Sequence, residues 1–208
     1  MTDFRHHSIF TQFPPVEISV PAGFTTDYLG NLTRAGLLQS PQPIEGGLKM
    51  TSHPSVDEEY FEWIDILQSV VRASSSYTML ELGAGYGRWA ARAHLAARRH
   101  GCQNIHLGLV EAEPAHAGWI ATHMADNNVS ANEFRVFDTV LGTESSARWF
   151  MIAMPPGSPN NTAQEWYGQG LMDFSSAEFE WVFGRTNDPR AIELESRISP
   201  ETRSFYAG

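Results

Sequence analysis

Apolar residues recur at helical spacing over Val56, Tyr60, Ile64, Leu67 and Val71, with Asp57, Glu58, Glu62 and Asp65 on the opposite side. That period predicts an amphipathic helix packed on a sheet. Its start is expected near Ser55, where Ser55 and Glu58 make a capping box, and Ser74 to Ser76 end it. The chain then reads YTMLELGAGYG from Tyr77 to Gly87: Met79, Leu80 and Leu82 with the acid Glu81 among them, then glycines at alternate positions. This is a strand that stops abruptly in a tight loop. Arg88 to His100 is alanine-rich and free of Pro and Gly, with Arg98, Arg99 and His100 where a helix dipole favours cations and Gly101 placed as a C-terminal cap.

The unit then repeats. Ile105, Leu107, Leu109 and Val110 form an apolar strand ending at Glu111, and Pro114 is suited to open the next helix. That helix runs to about Asp126, with Ala117, Ile120 and Met124 on one stripe and Trp119, His116 and His123 beside it. A third strand is expected from Phe134 to Leu141, passing Asp138, until Gly142 breaks it. Beyond it, Arg148 to Ala153 reads as a strand, MPPGSPNNTAQEWYGQG as loop, and Phe179 to Phe183 and Ala191 to Ile198 as alternating strands. No run after Gly142 is apolar enough for a central parallel strand, so the sheet is expected to be incomplete at its C-terminal side. The chain would then be the N-terminal part of a longer protein, or a reduced version of it. Residues 1 to 54, rich in Pro, Gly, Thr and Gln, read as an extension of a domain spanning 55 to 208. FTTDYLGNLTR within it has no clear period. Such an arm serves as a lid, a surface wrap or a homo-oligomer contact.

Composition narrows the classes. The 208 residues carry 24 acidic against 14 basic side chains, a formal charge of -10. Nucleic-acid binding needs clustered Lys and Arg, so nucleic acid is not an expected partner. The basic residues from Arg88 to His100 read as a solvated face favoured by the helix dipole. No apolar run reaches the roughly 20 residues of a membrane span, and the N-terminus has no signal-peptide core, which together predict a cytoplasmic protein. The single Cys102 reads as a reduced, half-buried thiol, and the eight dispersed histidines suggest no metal site.

The chemistry lies in the glycine loop. Glycines let backbone approach a ligand, as in many nucleotide-binding α/β folds. A dinucleotide fingerprint wants a third glycine where this chain has Arg88. Glu81, just ahead of the loop, would sit badly beside a pyrophosphate and well beside an ammonium. S-adenosylmethionine has no phosphate and offers an amino-acid end and a sulfonium. An acid at the end of the second strand accepts both ribose hydroxyls, a role for Glu111; Glu113 is the second candidate for it and better suits a helix cap or first-turn charge.

ELGAGYGRW followed by LVEAEP, a helix ending in DNNV and a strand leading to VLG resembles the FkbM-like group of S-adenosylmethionine-dependent methyltransferases. The resemblance runs from about Tyr77 to Gly142, more loosely into the preceding helix and Trp166 to Gln169. It implies an α/β, Rossmann-like methyltransferase sheet with helices on both faces. It implies the methionine end of the cofactor against Glu81, Gly83, Gly85 and Gly87, with Ala84 and Tyr86 in the same loop, the ribose on Glu111 and the adenine near Asp138. O-methylation of a small-molecule, sugar or glycolipid acceptor is the implied activity. A hydroxyl acceptor also needs a base. His53, Asp27 and the WYGQ loop are candidates, and none stands out. Two rivals stay open: a nicotinamide-dependent oxidoreductase, and a non-catalytic module keeping the cofactor half.

Overall fold

The computed structural model describes residues 6–38, 44–139, 146–151, 173–174 and 191–196. Its centre is a parallel sheet of three strands in the order β5 (Ser76–Leu82), β6 (Asn104–Glu111) and β7 (Phe134–Asp138). Helix α2 (Arg88–His100) connects the first pair and α3 (Pro114–Asp126) the second, while α1 (Tyr60–Arg72) precedes β5. Both predicted termini of α2 hold. Gly101 adopts φ 99° and donates to the carbonyls of Ala97 and Arg98, conserving the cap its sequence position suggested. In α3, Pro114 opens the helix and the Glu113 carboxylate accepts the His116 amide at 2.7 Å, the capping role expected of it.

Helices were expected on both faces of the sheet, and all three described helices lie on one. Two successive right-handed crossovers that advance in the same direction along a sheet leave their helices on the same side. Tyr77, Ile105, Leu107 and Leu109 share a buried cluster with Trp63, Leu67 and Val70 of α1, the alanines of α2, and Ile120 and Met124 of α3. On the opposite face Leu82 is 57% exposed and Leu80 36%.

Helix α1 starts later than the capping-box pattern suggested. Asp57 takes the amide of Glu59 on its side chain at 3.0 Å and that of Tyr60 on its carbonyl at 3.2 Å, forming a turn ahead of the helix. Val56 therefore falls outside the buried stripe and is exposed, while Tyr60, Trp63, Ile64, Leu67 and Val70 carry it. Strand β7 likewise ends at Asp138, and the predicted continuation to Leu141 leaves the described residues. Cys102 is fully buried rather than half-buried.

The N-terminal segment contains two antiparallel pairs: β1 (Glu17–Val20) with β4 (Gly47–Met50), and β2 (Phe24–Thr26) with β3 (Leu32–Arg34). The aperiodic FTTDYLGNLTR is thus a short hairpin. Its turn is built on Asp27, whose carboxylate accepts the amides of Leu29 and Asn31, each at 3.0 Å. Ile9, Phe10, Phe13, Tyr28 and Leu29 join the same buried cluster as the helices. The arm is also pinned to α2 and α3. Arg99 donates to the Leu29 carbonyl at 2.6 Å, Asn127 exchanges two hydrogen bonds with the Leu32 backbone, and Arg34 pairs with Asp126.

Past β7, strand β8 (Ser146–Met151) pairs antiparallel with β10 (Ala191–Ser196) and with β9 (Asp173–Phe174). β8 and β10 fall where strands were expected. The WYGQ loop and Phe179 to Phe183 lie outside the described residues.

Candidate functional site

At the carboxyl ends of β5 and β6 the chain turns through Gly83, Gly85 and Gly87, all with positive φ (67°, 57° and 79°). The three glycines do different work. A Cβ on Gly83 would meet no atom within 4 Å, so its surroundings are open to a ligand. A Cβ on Gly87 would stand 2.7 Å from Met124 Cε and 2.8 Å from Leu109 Cδ2, so this glycine lets α2 start close against β6 and α3. Ala84 is buried and donates its amide to the Val110 carbonyl at 3.0 Å, stitching the loop to β6. The Tyr86 ring is buried too, edge-on to His123 at 5.0 Å between centroids.

Glu81 is the penultimate residue of β5, with its side chain on the buried face. Its Oε2 accepts the Ala90 amide at 2.8 Å and its Oε1 the Trp89 amide at 3.2 Å. It therefore caps α2 from a neighbouring strand, satisfying two amides that the first turn of a helix leaves without partners. Burial pushes its carboxyl up to about 7, against the pull of those amides and of Arg88 and Arg92.

Glu111 ends β6, also buried. Its Oε2 accepts the Gly85 amide at 2.7 Å and its Oε1 the Glu113 amide at 2.9 Å. The His116 ring stands between the two acids, Nδ1 4.0 Å from Glu111 and Nε2 3.7 Å from Glu113. Asp138 is paired in register with Glu111 on the adjacent strand, and its side chain is exposed. The parallel register thus brings Gly83, Gly85, Glu81, Glu111 and Asp138 to one end of the sheet.

The guessed bases fare differently. Asp27 is committed to its own turn and to Arg92, 3.2 Å away. His53 is half-buried among rings, 4.8 Å from His6 and 5.6 Å from Tyr28. Burial, and secondarily His6, lower its pKa. Trp166 to Gln169 lie outside the described residues.

What sequence reasoning missed is the role of the arginines in α2, expected to be a solvated face. Arg92 is buried in the corner formed by Trp63 and Trp89, which meet edge to face, with its guanidinium carbon 4.3 Å from each ring centroid. It pairs with Asp27 and, at 3.1 Å, with Glu59, whose other oxygen holds Arg88 at 2.6 Å. Arg98 pairs with Glu133. Arg92's spacing on α2 hinted that it faces the core side, since it follows Trp89 and Arg88 by one turn.

Among the described residues no three His, Cys, Asp or Glu side chains converge as metal ligands would, and no helix is long and apolar enough to cross a membrane.

Comparison with known proteins matches neither a family model nor a solved structure. The chain is 31% identical over 96 residues to a protein of Jannaschia sp. (strain CCS1) named "Putative methyltransferase", a match covering 46% of this chain and 34% of that protein. The chain thus spans about a third of that relative's length. Beside this partial match, the described residues show a mixed α/β architecture with a parallel three-stranded sheet.

Proposed function

We propose that this protein is an S-adenosylmethionine-dependent methyltransferase of the FkbM-like kind, acting on a hydroxyl of a small molecule, sugar or glycolipid component. The observation that carries the reading is the position of Glu81. In a dinucleotide-binding fold, the amides at the start of the first crossover helix face a pyrophosphate. Here the amides of Trp89 and Ala90 are taken by a carboxylate of the protein itself. An anionic ligand would meet that acid, whereas the ammonium of an amino-acid moiety would be attracted to it.

The remaining residues fit the same cofactor. Gly83 has open space for the methionine end, Glu111 suits the ribose diol with the lone pairs its two amide partners leave over, and Asp138 stands one strand further, toward the adenine. The cofactor supplies an electrophilic methyl group. The chain's part is to orient donor and acceptor in line and to exclude water, which accounts for most of such catalysis.

Calorimetric titration with S-adenosylhomocysteine and, separately, NAD tests the reading. Binding of the first and not the second is expected; the reverse preference would replace the methyltransferase with a nicotinamide enzyme.

A further inference from the structure

Arg92 belongs to no part of the ligand site, yet it is a buried charge engaged by two carboxylates and two indoles. Its side chain is 8% exposed, lodged against two indoles that meet edge to face and held by two carboxylates from different segments. Those segments are the arm, through Asp27, and the turn before α1, through Glu59. The Trp89 ring on which it stacks belongs to the residue whose amide holds Glu81. A planar cation lodged in the corner of two indoles and held by two carboxylates has little freedom, because its charge and its donors are engaged from several directions. Arg88, one turn earlier, is tied into the same carboxylate of Glu59.

We infer that Arg92 is a positioning residue for the cofactor loop: it locks the first turn of α2 against α1 and the N-terminal arm, making Asp27 and Glu59 supports of the cofactor site. The inference rests on the S-adenosylmethionine reading. Two physical effects converge in it. Geometrically, the first turn of α2 cannot shift without breaking the contacts of Arg92 with Trp63, Asp27 and Glu59, so the amides that orient Glu81 stay in place. Electrostatically, Arg92 and Arg88 lower the cost of ionising a buried Glu81. The charges acting on Glu81 are these two arginines on α2; Glu59 from the turn before α1, Asp27 from the arm and Glu62 on α1 bear on it through the arginines, and the titratable His123 on α3 lies in the field of the same two.

The test titrates the whole chain with S-adenosylhomocysteine, which carries the ammonium, over a pH series spanning neutrality. Arg92→Met is compared with Arg34→Ala, which breaks an arm contact on α3 far from Glu81. Arg92→Met should lose about tenfold or more in affinity, which corresponds to about 1.4 kcal/mol. Its affinity should also rise with pH only at higher pH than in wild type, because Glu81 ionises later. Arg34→Ala should keep both the affinity and the pH midpoint. Arg92→Lys should restore the midpoint, through its charge, and only part of the affinity, lacking the fork. Should Arg92→Met fail to fold, Asp27→Asn keeps the turn's acceptor oxygen and removes one ion pair, and a smaller loss with the same upward shift is expected. Equal affinities and an unmoved midpoint in Arg92→Met, or in Asp27→Asn where that variant stands in, overturn the inference while wild-type binding upholds the methyltransferase reading. Wild type that binds S-adenosylhomocysteine at no pH overturns both.

Discussion

The Gly85 amide donates to Glu111 Oε2 across 2.7 Å, tying the middle of the glycine loop to the end of the neighbouring strand. Glu111 therefore has two tasks: it shapes the loop and it presents a carboxylate beside it. Replacing it with Ala leaves the amides of Gly85 and Glu113 without acceptors in a buried setting, at about 1–3 kcal/mol each. We expect Glu111→Ala to lower both the melting temperature and the affinity for S-adenosylhomocysteine, and Glu111→Asp to be milder on both. A variant that binds as wild type does would remove Glu111 from the ribose site.

The glycines separate loop shape from ligand access. Gly87→Ala pushes a methyl against Met124 and Leu109 at a residue with φ 79°, and overpacking with a left-handed backbone should cost about 2–4 kcal/mol of stability. Gly83→Ala meets no atom within 4 Å and bears only the backbone strain, about 1–2 kcal/mol. Its methyl, however, fills the space the cofactor's amino-acid end is assigned. Thermal melting and calorimetry should accordingly show Gly87→Ala losing more stability and Gly83→Ala more affinity. The opposite ranking would move the ligand away from Gly83.

Asn127 gives the arm its attachment to α3. Its Oδ1 accepts the Leu32 amide at 2.8 Å and its Nδ2 donates to the Leu32 carbonyl at 2.9 Å, which imitates a strand pairing with one side chain. Asn127→Ala leaves both backbone groups short of partners and should destabilise the chain by about 1–3 kcal/mol in urea unfolding. A change within a few tenths of a kcal/mol would show that water replaces both bonds.

Local signals account for what the sequence made legible. Gly101 and Pro114 act through their own backbones, so the C-terminus of α2 and the N-terminus of α3 could be read directly. The glycine loop and the two acids at strand ends were legible because strand, loop and helix follow one another without interruption. Where competing local bonds decide, the reading slipped: Asp57 won the turn that Ser55 and Glu58 were expected to hold. The hairpin of β2 and β3 has strands of three residues, too short for a period to register, and it hangs on one carboxylate. The ion pairs of Arg92 were beyond reach, because helical spacing can hint at the face a residue occupies but not at partners 65 and 33 positions away, Asp27 and Glu59.

Two buried titratable groups flank the site and pull stability in opposite directions with pH. His123 is 1% exposed, its Nδ1 has no hydrogen-bond partner among the described residues, and burial lowers its pKa from 6.5 to about 4. The unfolded chain then holds one more proton than the folded one between those values, so this group's contribution is whole above pH 6.5 and lost as pH falls toward 4. Glu81 is the mirror case, raised from 4.5 to about 7: here the folded chain holds the extra proton, and stability is whole below 4.5 and lost as pH rises through 7. Each effect amounts to about 3 kcal/mol over its window, at about 1.4 kcal/mol per pH unit. Between 4.5 and 6.5 the two slopes cancel, so wild type hides both. Single substitutions unmask them. In urea unfolding across this range, Glu81→Gln should gain stability relative to wild type as pH rises. His123→Phe, which keeps a ring against Tyr86, should lose stability relative to wild type over the same range. Taking each variant against wild type removes the titration of the other carboxylates. Should either difference stay flat from pH 4.5 to 6.5, the group concerned titrates alike in the folded and unfolded chain, and its burial does not set its charge.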